Sequence, residues 1–401
     1  MSVLQIGGQE MIYFRRTILK LLWLLLILIS SDAKAGTDRT GWTKDIGEFL
    51  ESKNLESSRY SSSGDHLTVA SIIELYHEKI GNKIHLFQIG SGGEIKGVAE
   101  WTPGDSNARV IIEGQVVTAN GETWLFVLTP DRQVIKFDEK LEFLKLLPSP
   151  LDRRYGIKSI QTLVNGHFLV AGSKTAEDAH AWAAEIDQEL NVIWEKEYSE
   201  KGFFIEANQL ADGNYVLLGN ISDQGQPAKE VFLSIVDPQG AVLKHTFFSG
   251  RNGSITVLPR GFSVIYDKSD DDKYRYYLKL YNTDLQEIWE RPIKEQKTAS
   301  DEFPCYLKSK AIWFNDKLYV LFPSEMGASI FLWNLEGEKQ GDFEYPSSLP
   351  SFKWGFDSSA DGLFIISSPT NIAKDGYPVS VVRVAKFDAY PTPSDGESLA
   401  P

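Results

Sequence analysis

The sequence predicts an all-β protein: a seven-bladed β-propeller of four-stranded antiparallel blades, its ring closed by an N-terminal strand. Three observations predict it. A turn signal followed by a short apolar run recurs seven times along the 401 residues. A second landmark follows each run, a strand that turns sharply into another strand marked by Trp, Lys or Gly. Finally, "RTGWTKDIGE" at 39–48 resembles "NVIWEKEYSE" at 191–200, so a stretch from mid-chain reappears near the start.

The blade elements follow in order. Strand A of each blade ends at a turn, and strand B follows it. Gly64-Asp65 precedes "HLTVAS", Glu113-Gly114 precedes "QVVTAN", Asn165-Gly166 precedes "HFLVAG" and Asp212-Gly213 precedes "NYVLLG". Arg260-Gly261 precedes "FSVIYD", Asp316-Lys317 precedes "LYVLFP" and Asp361-Gly362 precedes "LFIISS". Asn-Gly and Asp-Gly tolerate the positive φ angles of a type I′ hairpin turn. No helical pattern separates the repeats, which excludes βαβ units. The C strands "AWAAEID", "VFLSIVD" and "YYLKLYN" lead by short turns into D strands marked by Trp194, Lys244 and Trp289. Lys136, Gly97 and Gly341 hold the corresponding place in three other blades, and Trp42 supplies the seventh. The last repeat has strands A, B and C but no D; the strand at Trp42 completes it. Such closure pairs the chain ends and leaves only short edges, whereas a solenoid needs atypical capping repeats. The expected blades are 54–104, 105–147, 155–200, 202–250, 252–297, 305–348, and 350–390 with 38–47.

Residues 1–35 read as a secretory signal: Arg15, Arg16 and Lys20, an apolar stretch at 21–29, then Ala33-Lys34-Ala35. Gly36 is the expected first mature residue, with Met11 as an alternative start. The apolar run 18–29 is 12 residues, short of the roughly 20 that span a bilayer, so no stable membrane anchor is expected after cleavage. The propeller domain then occupies 36–390, and 391–401 reads as a disordered tail. The one cysteine, Cys305, excludes an intrachain disulfide. This suits a bacterial periplasmic or secreted location. Asn220-Ile221-Ser222 and Asn252-Gly253-Ser254 match the glycosylation sequon, a motif short enough to arise by chance. Of 41 basic and 55 acidic residues, four and two lie in 1–35; the remainder, 37 and 53, gives a net charge of −16. That charge repels phosphate backbones and excludes general nucleic-acid binding.

The pattern from Asn165 to Tyr198, with "EIDQELNVIWEKEY" at its centre, resembles the repeats of bacterial periplasmic propellers of the pyrroloquinoline-quinone-like superfamily. The resemblance covers most of the mature chain and implies fold only. Quinoprotein repeats carry Thr-Gly before the Trp strand, where this chain has Glu189-Leu190 or Asp284-Leu285. No cofactor-binding residue carries over, and no cofactor is expected.

Linear catalytic motifs are missing: no G-x-S-x-G, H-E-x-x-H, C-x-x-C, P-loop or G-x-G-x-x-G occurs. "DKSDDDK" at 267–273 begins like a calcium loop, but Asp272 replaces the loop glycine and Leu278 the closing glutamate. It reads as a solvated B–C hairpin, and no metal site is expected. His66 and His167 each follow an A–B turn and read as strand starts. Trp124, Trp182, Trp313 and Trp333 read as core between blades. The long connections, 73–82, 144–156, 174–180, 221–229, 267–273, 294–307 and 368–378, are B–C and D–A loops, which emerge on one propeller face. Long loops on a rigid scaffold carry function. There, Arg153, Arg154, Tyr155 and Arg251 read as a cationic patch in an acidic protein, joined by Asp301 and Tyr306; the alternative is that the arginines pair with neighbouring acids. The expected function is an exported, non-catalytic binding or scaffold protein holding a protein partner or anionic ligand on that face. The alternative is a periplasmic enzyme or enzyme subunit (dehydrogenase, lyase or hydrolase) with its site at the channel mouth. Convergence of the arginines with a histidine or paired carboxylates separates the two.

Overall fold

The computed structural model describes residues 40–45, 54–63, 66–74, 83–104, 110–174, 179–221, 230–270, 273–297, 309–324, 327–346, 351–359, 362–372, 378–380 and 383–387. The expected signal segment 1–35 and expected tail 391–401 lie outside these residues, as do Asp301, Cys305 and Tyr306. The chain divides after Thr40. Of the first unit only Thr40 is described; the architecture below is that of the second.

Every regular element among the described residues is a β-strand. Strand β1 (Thr40–Asp45) is the first described element. The next sheet runs β2 (Asn54–Ser63), β3 (His66–Glu74), β4 (Lys83–Gly90), β5 (Ile95–Trp101), and the one after it β6 (Ile111–Val117), β7 (Thr123–Leu128), β8 (Arg132–Phe137), β9 (Phe143–Pro148). A seven-stranded sheet follows: β10 (Tyr155–Thr162), β11 (Phe168–Lys174), β12 (His180–Ile186), β13 (Val192–Gln209), β14 (Tyr215–Ile221), β15 (Glu230–Val236), β16 (Val242–Ser249). Two further four-stranded sheets are β17 (Arg251–Leu258), β18 (Gly261–Asp270), β19 (Lys273–Tyr281), β20 (Glu287–Lys297) and β21 (Lys310–Phe314), β22 (Lys317–Ser324), β23 (Gly327–Trp333), β24 (Lys339–Pro346). The last elements are β25 (Ser351–Ser359), β26 (Gly362–Ile372), β27 (Pro378–Ser380) and β28 (Arg383–Phe387). Their sheet has the order β1-β28-β26-β25, with β27 beside β26. The seven-stranded sheet is two four-stranded units sharing one long strand. The first half of β13 pairs β12, and its second half pairs β14.

Consecutive sheets share cores. Trp124, Phe126, Phe168 and Trp182 join the β6–β9 sheet to the next one, with Trp124 and Phe168 ring centroids 4.8 Å apart. Equivalent clusters join each following sheet to its successor. The inner strands are therefore covered on both faces, which is why they read as unbroken apolar runs. Trp124, Trp182 and Trp333 are buried, and Trp313 packs against a core cluster, as the sequence predicts. Truncating a fully buried Trp such as Trp182 to Ala costs about 3–5 kcal/mol.

Four expectations are corrected. Glu113-Gly114 is no turn: it lies inside β6 at a bulge, and the A–B turn of that sheet is 118–122, around Asn120-Gly121. The residue pair mimics a turn signal, but Glu113 is drawn inward by a buried arginine (below). Second, the Asn-Gly and Asp-Gly turns at Gly121, Gly166 and Gly213 are not type I′. Only the glycine has positive φ (84°, 85° and 90°), and its N–H bonds the carbonyl three residues back. At two of these turns the residue before glycine caps instead: Asn165 Oδ1 accepts from the His167 N–H, and Asp212 Oδ1 from the Asn214 N–H, both at 3.0 Å. Asn315-Asp316, with φ of 47° and 57°, is the primed pair. Third, Lys136 stands on β8, a C strand; its D-strand counterpart is Lys145 on β9. Fourth, several expected loops are strand. Residues 144–148 belong to β9, 267–270 to β18, 294–297 to β20 and 368–372 to β26. Two D–A connections vanish: β13 runs straight through, and Gly250 alone separates β16 from β17. Both crossings use glycine in the left-handed region, Gly202 at 137° and Gly250 at 155°. A Cβ there would meet Asn220 O at 2.1 Å and Tyr266 Cδ2 at 2.6 Å.

Candidate functional site

A cleft of about 580 Å³ opens where β8 begins and β9 ends. Its wall is Asp131, Arg132 and Gln133 on one side, and Leu146, Leu147, Pro148, Ser149, Leu151, Asp152 and Arg153 on the other. These are the B–C turn and the D–A connection of one sheet, the end at which the sequence predicts function.

Arg132 builds the floor. Its side chain is 2% exposed and forks onto Glu113, Nε to Oε2 at 2.5 Å and Nη2 to Oε1 at 2.8 Å. The same guanidinium donates to the carbonyls of Asp152 and Tyr155, each at 2.5 Å. One buried group thus ties β6, β8 and the connection 149–155 together. Removing one member of such a pair leaves an uncompensated buried charge, at a cost of about 3–5 kcal/mol. The connection is also closed on itself: Asp152 Oδ1 accepts from the Arg154 N–H at 2.8 Å, and the Tyr155 N–H reaches Asp152 O at 3.1 Å. On this frame Arg153 and Arg154 project outward, their side chains 64% and 65% exposed. Arg153 lies 3.7 Å from Asp131, and Arg154 lies 3.0 Å from Asp152. The Arg154 hydrogen bond holds the Asp152 carboxyl below its ordinary pKa.

Tyr155 is buried. Its ring stacks on Trp182 at 4.5 Å and its hydroxyl donates to Glu197 at 3.2 Å. Burial, reinforced by Glu195 and Glu197, pushes its phenol pKa up. It anchors the end of the connection. Arg251 begins β17, in a different sheet, where Nε donates to Asp267 Oδ2 at 2.7 Å. Asn252 Nδ2 donates to the other Asp267 oxygen at 2.8 Å. Burial raises the Asp267 pKa against the pull of Arg251 and Asn252. Asp301 and Tyr306, expected in the same patch, lie outside the described residues.

The other motifs resolve as follows. "DKSDDDK" is the β18–β19 hairpin, with Asp270 opposite Lys273. Of the sequon asparagines, Asn220 is buried in β14 and the Asn252 amide is held by Asp267. His167 directly precedes β11, and its Nδ1 lies 2.6 Å from Glu185 Oε1. Glu185 also accepts from Trp194 Nε1 and the Tyr215 hydroxyl, each at 2.9 Å. Among the described residues no three His, Cys, Asp or Glu side chains are grouped to hold a metal ion. Sequence reasoning missed Arg132 and Glu113. They stand 19 residues apart on separate strands, a pairing that leaves no local spacing to find.

No protein-family model matches this chain, and no curated protein is significantly similar to it in sequence. Solved structures are similar in fold. The Pan2 WD40 domain of Neurospora crassa has a TM-score of 0.54 at 9% identity, over 88% of this chain and 95% of that one. The polysaccharide lyase Uly1 has a TM-score of 0.52 at 8% identity, over 82% of this chain and 89% of that one. WD40 domains are β-propellers, and this chain has a β-propeller fold. Since one of these neighbours is a lyase and the other a WD40 domain, fold does not choose between an enzyme and a binding protein.

Proposed function

We propose that this chain is an exported, partner-binding β-propeller of seven four-stranded blades, the last completed by the strand at 40–45. It captures an acidic protein segment or anionic ligand at the cleft where Arg153 and Arg154 emerge. The observation that carries the reading is the cleft itself: two outward guanidiniums on a connection fixed from beneath by the Arg132–Glu113 pair. Their present partners, Asp131 and Asp152, are exposed. Ion pairs in water contribute little to stability, so an incoming carboxylate can displace them at small cost. A rigid frame lowers the ordering cost of that exchange. The blade count is supported by the division of β13 between two four-stranded units, and closure by the sheet order β1-β28-β26-β25.

The test uses a fluorescein-labelled octamer of glutamate, with an octamer of lysine as control. The glutamate probe binds the wild type in low salt, and Arg153→Ala/Arg154→Ala weakens it at least about tenfold while leaving the melting temperature unchanged. Arg251 is left intact, because its removal strands the buried Asp267 carboxylate and confounds binding with unfolding. Equal binding by the double variant overturns the anion site. Turnover of a substrate abolished by the same variant moves the protein to the enzyme class.

A further inference from the structure

The cleft continues into an open strand edge. Strand β9 ends its sheet, in the order β6-β7-β8-β9, so its outer side has no strand partner among the described residues. Its sequence is FLKLLP, and Phe143, Leu144 and Leu146 are 53%, 47% and 40% exposed. The Ser149 N–H donates to Arg132 O at 3.1 Å. By strand alternation the N–H groups of Leu147 and Lys145 also face β8, and the N–H and C=O of Leu146 face outward. Pro148 sits at an outward position, where it leaves no ladder bond unmade.

Other outer strands carry charged side chains held in ion pairs. Glu100 of β5 meets Lys83, Glu197 of β13 meets Lys174, Lys244 of β16 meets Asp284, Glu290 of β20 meets Lys279, and Lys339 of β24 meets Asp342. On β9 the one charge is Lys145, which makes no ion pair among the described residues. An exposed apolar edge is a template for strand addition. A lone cation on it, in a chain of net charge −14, selects an acidic occupant. A second copy fits poorly: pairing β9 with itself across a two-fold axis centred near Lys145 sets like charges together.

We propose that β9 takes up an extended, acidic, β-branched segment of a partner protein as an added strand. The added strand's apolar side chains lie on Leu144, Leu146 and Phe143, and a carboxylate faces Lys145. This rests on the partner-binding reading and assigns the partner's conformation.

The probe is a labelled peptide, acetyl-Thr-Val-Glu-Val-Glu-Val-Thr-amide, compared with its lysine counterpart and with a fully N-methylated version. The acidic peptide binds the wild type, and N-methylation weakens it at least about tenfold because main-chain bonds carry the pairing. Leu146→Pro, which deletes an outward N–H and keeps the ladder to β8, weakens it similarly. Lys145→Glu reverses the preference toward the lysine peptide, and keeps the idea testable if Leu146→Pro does not fold. In Arg153→Ala/Arg154→Ala, which loses the glutamate octamer, the acidic peptide still binds and still loses at least about tenfold on N-methylation, so failure of the edge and failure of the arginine cleft are told apart. Equal binding of the N-methylated peptide overturns strand addition. So does concentration-dependent dimerisation, seen by sedimentation and lost in Leu146→Pro, which assigns the edge to a second copy.

Discussion

Lys136 shows at the scale of one residue how the blades meet. Its ammonium lies 3.1 Å from the Trp124 ring centroid and donates to Gln188 O of the next sheet at 3.0 Å. Burial, and then the neighbouring Lys145, pull its pKa down from 10.5 to about 8, against the opposing pull of Glu122, Glu189 and Asp187. In the unfolded chain this lysine holds its proton to about 10.5, while in the folded chain it releases it near 8. Between those values the unfolded state binds more protons, so stability rises with pH across the window. Below pH 8 the burden on the fold is constant. The urea midpoint of the wild type, measured relative to Lys136→Met, should therefore climb from pH 7.5 to 9.5. Taking the difference cancels the buried tyrosines, whose raised pKa values act in the opposite sense above pH 10. A flat difference would show that the lysine is equally at home charged in both states. At this scale sequence was half informative. Arg153 and Arg154 were legible as adjacent cations in a connection. The Arg132–Glu113 pair beneath them was not, because a bidentate contact is a fact of two strands, and Glu113-Gly114 imitates a turn.

The elements repeat a second device, at the C–D turns. The turn 90–94 begins with Gly90, but five others begin with Asp or Asn, whose Oδ1 accepts from the N–H four residues on: Asp138, Asp187, Asp237, Asn282 and Asn334, at 2.7–2.9 Å. The fourth residue of each is left-handed, and it is either leucine (Leu141, Leu190 and Leu285, φ of 62°, 67° and 59°) or glycine (Gly240 and Gly337, φ of 76° and 78°). Leucine there costs about 1–2 kcal/mol in backbone strain, offset by packing: Leu141 and Leu190 are buried, and Leu285 packs on a core. Glycine stands where the previous sheet's outer strand carries tryptophan. A Cβ on Gly240 would be 2.7 Å from Trp194, and one on Gly337 would be 2.9 Å from Trp289. Where that strand carries Gly97, Lys145 or Lys244, the next turn has leucine. Gly240→Leu should then destabilise by about 2–4 kcal/mol, from overpacking and strain together. In a double-mutant cycle with Trp194→Lys, which imitates the Lys244–Leu285 pairing, the two changes should couple favourably by at least about 1 kcal/mol. Strict additivity in urea denaturation would refute the complementarity. The turn spacing itself was readable from sequence, and so were the double-sided cores. Loop lengths were not, since nothing in "YSEKGFF" announces that β13 crosses between sheets without a break until Gly202 is seen at positive φ.

For the whole molecule, the same complementarity bears on closure. Three outer-strand positions carry tryptophan, namely Trp42, Trp194 and Trp289, and three C–D turns carry glycine at the fourth place, namely Gly93, Gly240 and Gly337. Trp194 is matched to Gly240 and Trp289 to Gly337, each in the four-stranded unit that follows. Gly93, at φ 84°, has no earlier sheet among the described residues to match. It is left with Trp42 only if the sheet of β25, β26, β28 and β1 comes before that of β2–β5, as a closed ring requires. A closed ring therefore expects Trp42 over Gly93. Gly93→Leu carries the same backbone strain whether or not the ring closes, so the single variant decides nothing. The informative quantity is its coupling to Trp42→Ala, measured by chemical denaturation beside Gly240→Leu with Trp194→Ala. With closure, both cycles show a favourable coupling of similar size, at least about 1 kcal/mol, and deleting 38–47 lowers the cooperative transition of the entire domain, because the last sheet loses its outer strand and bares an edge. Without closure, Gly93 and Trp42 are strangers: their changes add, and the deleted protein melts as the full-length chain does.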